Sequence, residues 1–261
     1  MRVVIKVGTS TLCYKNGALN IRHFREFVQT LADIRNSGVE VILVSSGAIG
    51  LGVGRLGLVS RPDKTEMKQA CAAVGQCELM RCYSDEFAKF SQNVAQLLLT
   101  RDVIDHERRR QNVTNTLKTL LSLKTLPIIN ANDSVSLKHL DFDENDTLSA
   151  IVACLVEADK LIILTDVDGL YDSDPANPSA HFISRVECVT SEVRSWCASK
   201  GSELSSGGMQ TKLDALQIAT QAGIGGVILN GKVTNNLYDY FNGVAKCTEF
   251  LPQKAARSEC E

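Results

Sequence analysis

The chain has 261 residues, of which 44% are hydrophobic and 22% are charged, and its formal net charge is −2. This composition is typical of a globular protein and excludes fibrous, disordered and membrane proteins. The longest basic run, Arg108–Arg110, is too short to favour nucleic acid or an anionic membrane surface as partners. The longest apolar stretch, 148–156, falls well short of the ~20 residues of a membrane span. With no signal-peptide pattern at its start, the sequence predicts a cytoplasmic protein.

Nine cysteines and four histidines are present, and their spacing does not match a metal site. No Cys-x-x-Cys pair occurs, and the histidines are scattered along the chain. The sequence therefore predicts free thiols, with neither a disulfide framework nor zinc or iron chemistry.

Short apolar runs alternate with amphipathic stretches along the chain. Strands are predicted at 3–7, 39–44, 94–99, 127–130, 161–164 and 227–229. Helical spacing of apolar residues predicts helices at 24–34, 67–90, 113–121, 150–156 and 209–216, with Gly38 ending the first and Asn145 or Asp146 capping the fourth. This alternation predicts an α/β fold with a mainly parallel sheet between helices, in one domain of two lobes.

Ligands of open α/β sheets bind beyond the carboxyl ends of the strands, so the polar residues there are the candidates for a site. Lys6 stands in an apolar strand before Gly8; it is either a strand-end residue or a cation aimed at phosphate. Ser46-Gly47-Ala48 follows the second strand and is either an ordinary turn or a source of backbone N–H groups for an anion.

Two familiar nucleotide motifs do not explain the glycine-rich segment. Residues 52–57 match Gly-x-Gly-x-x-Gly, but they begin eight residues after Val44 instead of directly after the strand, which argues against nicotinamide binding. Gly47 and Gly52 have the spacing of a Walker A loop, yet Val53-Gly54 stands where Lys-Ser/Thr is required. A Walker-type site is therefore excluded.

Four later segments are polar. Residues 130–133 and 141–146 place amides and carboxylates after a strand and before a helix; they are either turn formers and caps or ligands for an ammonium group. Residues 166–175 resemble a calcium loop, but the glycine and the glutamate that such a loop requires are not at the required positions. Calcium binding is therefore not predicted. Residues 206–212 lead through paired glycines into a helix whose first turn holds Lys212. This segment is either a flexible loop or a phosphate site.

In chain order, these segments resemble the motifs of the amino acid kinase family. The motifs are Lys-Val-Gly-Thr-Ser, Ser-Ser-Gly-Ala-Ile, Asn-x-Asn-Asp, Glu-Asn-Asp-Thr-Leu-Ser-Ala, Leu-Thr-Asp-x-x-Gly-Leu-Tyr and Gly-Gly-Met-x-Thr-Lys, spread from Lys6 to about Phe250. The resemblance implies a three-layer α-β-α sandwich around a mostly parallel sheet. It also implies a single kinase domain over 1–261, with an acceptor-binding lobe at about 1–155 and an ATP-binding lobe at about 156–261, and without a PUA or reductase domain.

Within the family, the motifs are most similar to those of members that phosphorylate the side-chain carboxylate of L-glutamate. That likeness implies ATP as co-substrate with Mg²⁺, L-glutamyl 5-phosphate as product, and a place as the first step of proline biosynthesis. It further suggests a homo-oligomer (dimer or tetramer), proline as a feedback inhibitor, and hand-off of the product to glutamyl phosphate reductase.

The resemblance also implies roles for individual residues. Lys6 and Lys212 would contact the transferring phosphoryl group, and Asp146 would organise either a lysine or the magnesium; no side-chain metal ligand is assigned. The glutamate-binding set would be Ser46, Gly47, Ala48, Asn130, Asp133 and Asn145. The ATP-binding set would be Lys6, Thr165, Asp166, Ser206, Gly207, Gly208, Met209, Gln210, Thr211 and Lys212.

The sequence departs from the family pattern at a few positions, and alternatives remain. Ala131 stands where glutamate is usual, and Cys247 stands where glycine commonly precedes Thr248. Other acceptors are N-acetylglutamate, aspartate, carbamate and UMP, although Asp133 and Asn145 favour a substrate with a free ammonium group. A catalytically silent nucleotide or amino-acid sensor is the alternative from another class.

Overall fold

The computed structural model describes residues 1–14, 16–135, 145–174, 177–197 and 208–253. Its strands are β1 (Arg2–Val7), β2 (Glu40–Ser45), β3 (Val94–Leu99), β4 (Leu126–Ala131), β5 (Lys160–Thr165), β6 (Leu170–Tyr171), β7 (Phe182–Ile183), β8 (Arg185–Val186), β9 (Gly225–Asn230) and β10 (Cys247–Phe250). Its helices are α1 (Thr9–Leu12), α2 (Ile21–Asn36), α3 (Ala48–Arg55), α4 (Thr65–Ala88), α5 (Arg101–Asp105), α6 (Glu107–Ser122), α7 (Asn145–Leu155), α8 (Ser191–Ser195), α9 (Met209–Gln221) and α10 (Asn235–Phe241).

Eight strands form one sheet in the order β3-β4-β2-β1-β5-β9-β10-β8, and β6 and β7 form a separate two-stranded ribbon. The neighbouring strands of the large sheet are parallel except β9 and β10, which are antiparallel. Because β1, β2, β4, β5 and β9 run the same way, their carboxyl ends meet at one edge of the sheet.

Alternate residues of the central strands face two separate apolar cores. Val4, Val44 and Ile163 pack with α6, α7 and α9 on one face, whereas Ile5, Leu43 and Ile162 pack with α2, α4 and α10 on the other. Strands buried on both sides require apolar residues at almost every position, which explains their continuous Val, Ile and Leu runs. The arrangement confirms the predicted three-layer α-β-α sandwich with a mainly parallel sheet.

The predicted strands all form within two residues of their expected ends. The predicted helices also form, but some ends differ by five or six residues, as at the start of α6 and the end of α9. One local prediction was wrong: neither Asn145 nor Asp146 caps the fourth predicted helix, because both lie inside the first turn of α7. Their side chains bond to other elements, as described below. Among the described residues, no helix is both long enough and apolar enough to cross a membrane.

Candidate active site

Two buried lysines share one buried aspartate at the carboxyl edge of the sheet. Lys6 lies on the same face of β1 as Val4, toward α7, because side chains alternate along a strand. Its Nζ lies 2.7 Å from Asp146 Oδ1, and Lys212 Nζ, from the first turn of α9, lies 3.3 Å from Asp146 Oδ2. Relative exposures are 7% for Lys6, 6% for Lys212 and 1% for Asp146, so the whole cluster is largely withdrawn from water.

The two lysines determine the ionisation of Asp146. Burial alone would raise the pKa of Asp146, but the ammonium groups of Lys6 and Lys212 outweigh burial and hold that pKa below its ordinary value. Asp146 therefore stays ionised and holds two ammonium groups side by side. Charged N–H donors at the carboxyl edge of the sheet are suited to bind an anion such as a phosphoryl group.

The start of α9 adds backbone donors beside the lysines. Gly208 precedes the helix in an extended conformation, and the Thr211 hydroxyl lies 3.2 Å from Asp146 Oδ2 and 2.9 Å from the Gly208 carbonyl oxygen. The first N–H groups of a helix and its positive dipole end favour anions. The predicted nucleotide residues Ser206 and Gly207 lie outside the described residues, as do residues 141–144 of the polar segment 141–146.

A row of polar side chains crosses the neighbouring strand ends. Asn130, at the end of β4, is 2% exposed. Its Nδ2 donates to Gln76 Oε1 of α4 at 2.9 Å, while Asn145 Nδ2 donates to Asn130 Oδ1 at 2.9 Å and to Ser46 Oγ at 2.8 Å. The structure thus joins Ser46, Asn130 and Asn145 of the expected glutamate-binding set. Gln76 was missed by sequence reasoning.

The backbone at Ala131 supports the same row. Its N–H donates to Asn130 Oδ1 at 2.9 Å and to Asn145 Oδ1 at 3.3 Å. Both bonds are donated by the backbone N–H. They therefore do not depend on whether residue 131 is alanine or the glutamate that is usual in the family pattern. Asp133, the remaining polar member of the expected set, lies two residues further on, in the turn after β4.

The glycine-rich segment begins α3 and packs closely on α4. Gly47 has φ of 114°, a left-handed conformation that glycine adopts without strain, and Ala48 opens the helix. An added Cβ at Gly52 would lie 1.9 Å from the Cys71 carbonyl oxygen, and one at Gly75 would lie 1.7 Å from the Ala48 carbonyl oxygen. Gly52, part of the rejected dinucleotide pattern, is therefore needed for close helix contact.

The expected nucleotide-binding residues divide between two places. Thr165 and Asp166 follow one another at the end of β5, where Thr165 is buried and Asp166 Oδ2 lies 3.9 Å from Lys232 Nζ. Met209, Thr211 and Lys212 lie in the first turn of α9. Gln210 is in that turn as well, but its amide donates to the Arg194 carbonyl oxygen at 2.7 Å, so its side chain faces α8.

The turn after β5 is held by residues of β9 and β10 and by Lys246, which directly precedes β10. Asp168 accepts hydrogen bonds from Asn230 and Lys246 at 2.9 and 3.1 Å, and these bonds lower the pKa of Asp168. The buried Thr248 hydroxyl accepts from the Leu170 N–H at 2.7 Å. The turn that carries Thr165 and Asp166 is thereby fixed against the sheet.

The model of the amino acid kinase family matches residues 1–230 of this chain. The chain belongs to the amino acid kinase family. Relatives within this family include the glutamate 5-kinase of Clostridium perfringens, 47% identical over 258 residues that cover 97% of this chain and 96% of the relative. The glutamate 5-kinase of Listeria innocua is 46% identical, with 97% and 94% covered. These findings confirm the predicted family.

Solved structures of other amino acid kinase folds superpose on the chain. Carbamate kinase from Giardia lamblia bound to AMP-PNP matches with a TM-score of 0.70 and 15% identity, covering 96% of this chain and 98% of that one. UMP kinase from Ureaplasma parvum matches with a TM-score of 0.66 and 17% identity, covering 96% and 98%. At these identities the likeness shows a shared fold.

Proposed function

We propose that this chain is a glutamate 5-kinase, which transfers the γ-phosphoryl group of ATP to the side-chain carboxylate of L-glutamate. The products are ADP and L-glutamyl 5-phosphate, and the reaction is the first step of proline biosynthesis. The observation that carries this proposal is the buried cluster in which Asp146 holds the ammonium groups of Lys6 and Lys212 side by side. Relatives named glutamate 5-kinase, at 46–47% identity over nearly the whole chain, support the choice of acceptor.

The reaction needs no general base. A side-chain carboxylate has an ordinary pKa of ~4.3 and is already ionised at neutral pH. One of its oxygens forms a bond to the γ-phosphorus with its own electron pair, and the bond from that phosphorus to the β,γ-bridging oxygen breaks, leaving ADP. No proton has to move, so the absence of a histidine among the cluster's three members is no obstacle.

The main obstacle is repulsion between an anionic acceptor and an anionic triphosphate. The Lys6 and Lys212 ammonium groups would bridge both reactants and stabilise negative charge on the transferring oxygens. Asp146, which contacts both lysines, would fix the two ammonium groups in place before the substrates arrive. The family resemblance leaves two roles open for Asp146, the organisation of a lysine or of the magnesium. We assign it the first of these, the orientation of the two lysines.

Acceptor and nucleotide would lie on opposite sides of this cluster. We place glutamate in the lobe of about 1–155, against Ser46, the Gly47-Ala48 backbone, Asn130, Asp133 and Asn145. Oxygen atoms of Asp133 and Asn145 would accept from the ammonium group of the amino acid. We place ATP in the lobe of about 156–261, against Thr165, Asp166 and the segment 206–212.

We propose Mg²⁺ as the metal that enters with ATP. Among the described residues, no three His, Cys, Asp or Glu side chains group as a metal site, and both oxygens of Asp146 face ammonium groups. This arrangement suits a cation bound chiefly by the phosphates of its nucleotide, as Mg²⁺ commonly is. The Mg²⁺ ion would add positive charge to that of the lysines.

Further properties belong to the same proposal. They are a cytoplasmic location, a homo-oligomeric state, feedback inhibition by proline, and hand-off of the acyl phosphate to glutamyl phosphate reductase. They are supported by the sequence analysis and by the likeness to the family members that phosphorylate L-glutamate.

The test is an acceptor panel. The purified chain is incubated with MgATP and L-glutamate, L-aspartate, N-acetyl-L-glutamate, carbamate or UMP, and ADP formation is followed. Hydroxylamine is present to trap any acyl phosphate as a hydroxamate. We expect ADP formation and hydroxamate with L-glutamate, and neither above background with the other acceptors.

Activity with another acceptor and none with glutamate would keep the lysine cluster but reject the assigned acceptor site. Binding of ATP without turnover on any acceptor would reject the proposal in favour of a silent sensor.

A further inference from the structure

The polar row formed by Gln76, Asn130, Asn145 and Ser46, here called the amide row, has a fixed hydrogen-bond direction. The Ala131 N–H can only donate, and it faces Asn130 Oδ1 and Asn145 Oδ1. The NH₂ group of Asn130 must then face Gln76 and find an acceptor there, which can only be Gln76 Oε1. One backbone N–H therefore sets the orientation of three side-chain amides.

Both ends of the amide row consequently present donors. Ser46 Oγ accepts from Asn145, so its hydroxyl proton points away from the row. Within the described part of the chain, the Gln76 amide makes its hydrogen bond through Oε1 alone, which leaves its NH₂ group for a ligand. Gln76 is only 8% exposed, but its Nε2 is not one of the fully buried polar atoms that lack a partner, so this donor is open to a ligand. The row is complementary to a ligand rich in acceptors, such as a carboxylate.

Gln76 also stands where an apolar side chain is expected. It belongs to the buried stripe of α4 that contains Ala72, Leu79 and Tyr83, a stripe that packs against the sheet and α2. The adjacent Gly75 places α4 directly beside the Ala48 carbonyl at the start of α3. Gln76 therefore lies next to the Gly47-Ala48 turn, which is part of the acceptor site in the proposed function.

The position in the sheet indicates which carboxylate Gln76 would meet. Asn130 lies on β4 and faces α4, whereas Lys6 lies on β1 and faces α7, and β2 separates the two strands. Two strand spacings amount to about 9–10 Å. The carboxylate that is phosphorylated must lie at the lysines. The end of the amide row that is formed by Gln76 is therefore available to the other carboxylate of the amino acid.

We propose that Gln76 is a further acceptor-binding residue, whose side-chain NH₂ donates to the non-reacting α-carboxylate of the amino-acid substrate. This proposal rests on the proposed function, because it needs an acceptor with two carboxylates. It makes the amide row a device that selects an anionic group at a fixed distance from the lysines.

Two variants distinguish a bond from Gln76 to the substrate from the bond between Gln76 and Asn130. Gln76→Leu removes both the bond to Asn130 and the donor. Gln76→Glu keeps an acceptor for Asn130 Nδ2 but replaces the donor by an anion that repels a carboxylate. Steady-state rates are measured for the wild type and both variants over ranges of L-glutamate and MgATP, with circular dichroism to show that each is folded.

We expect both variants to raise the KM for L-glutamate roughly 10- to 100-fold, the loss typical of a hydrogen bond to a charged group. The KM for ATP and the kcat at saturating glutamate should change less than about threefold, because the lost contact is equal in ground and transition states.

Three results would overturn the proposal. Wild-type KM in both variants would show that Gln76 does not meet the substrate. Wild-type KM in Gln76→Glu with a raised KM in Gln76→Leu would reduce Gln76 to a partner of Asn130. A fall in kcat larger than the rise in KM would place the contact at the reacting carboxylate.

If Gln76→Leu does not fold, the KM of Gln76→Glu for L-glutamate decides alone. A wild type without glutamate-dependent turnover would instead reject the proposed function.

Discussion

Lys6 and Lys212 are separated by more than two hundred residues, yet both ammonium groups contact the same carboxylate. Each is held by a rigid element, β1 or α9, and each is shielded from water. At an effective dielectric constant of ~20, one charge pair at ~4 Å contributes about 4 kcal/mol. The loss of one lysine should therefore affect the rate of phosphoryl transfer far more than the fold.

Replacing Lys212 by alanine should lower kcat by roughly 10²- to 10³-fold, since part of that interaction energy stabilises the transition state. The measurement is glutamate-dependent ADP formation, together with thermal unfolding to show that the variant is folded. Lys118→Ala is the matched control, because Lys118 pairs with Glu157 on the surface and should leave kcat within about twofold. Near-wild-type turnover of folded Lys212→Ala would remove Lys212 from the catalytic machinery.

Asp146→Asn should destabilise the chain by about 3–5 kcal/mol at neutral pH, because it leaves two buried ammonium groups without their carboxylate. The folded-state pKa of Asp146 is below its ordinary value of 3.8. A carboxyl group of this kind contributes stability above its ordinary pKa and loses that contribution as the pH falls through its folded-state pKa. The difference in unfolding free energy between wild type and variant should therefore be full at pH 7 and shrink below about pH 4.

Urea denaturation at stepped pH values, followed by circular dichroism, measures this difference directly. A difference that stays constant from pH 7 down to pH 3 would contradict the lowered pKa. An Asp146→Asn variant as stable as the wild type at pH 7 would contradict the ion-pair cluster itself.

At the scale of elements, the position of the proposed acceptor site depends on how closely α3 approaches α4. Gly52 and Gly75 bring the backbones of the two helices into direct contact, and that contact places Gln76 beside the start of α3. A larger residue at either glycine would push the helices apart and strain the turn at Gly47.

Gly75→Ala should lower the free energy of unfolding by about 3 kcal/mol or more, because the added methyl group would meet the Ala48 carbonyl oxygen at 1.7 Å. Gly50→Ala in α3 is the control, since its Cβ would lie 3.3 Å from a Thr9 methyl group and alanine favours the helix. We expect a change of less than about 1 kcal/mol there. Equal unfolding free energies for the two variants, measured in urea, would show that the contact between α3 and α4 is not tight.

Elements differ in how far their sequence predicts them. Strands such as β1 and β5 were predicted because burial on both faces leaves a continuous apolar run. The short strands β6, β7, β8 and β10 were not, because two to four residues carry little periodicity and their pairing is set by tertiary contacts such as that of Thr248 with Leu170. The cap prediction at Asn145 was wrong for a related reason: a cross-element bond to Ser46 took the place of a local one.

At the scale of the whole molecule, the order of the strands brings the site together. Lys6, Asn130 and Thr165 lie on β1, β4 and β5, and parallel pairing gathers their ends at one edge. The sequence pattern predicted this edge. The family resemblance singled out Lys6, Lys212 and Asp146, which the structure brings into contact; their catalytic roles belong to the proposed function. Gln76 had no such signal, since a lone glutamine in a helix is usually a surface residue. Its contact with Asn130 is visible only once α4 is seen against β4.

The most direct test of the account follows one oxygen atom. L-glutamate labelled with ¹⁸O in its side-chain carboxylate is incubated with the chain, MgATP and hydroxylamine in unlabelled water, and the released phosphate is analysed by mass spectrometry. If the carboxylate attacks the γ-phosphorus, hydroxylamine cleaves the acyl phosphate at its carbon and each phosphate carries one ¹⁸O atom. Phosphate without ¹⁸O would mean that water is the acceptor, and would contradict transfer to the glutamate carboxylate.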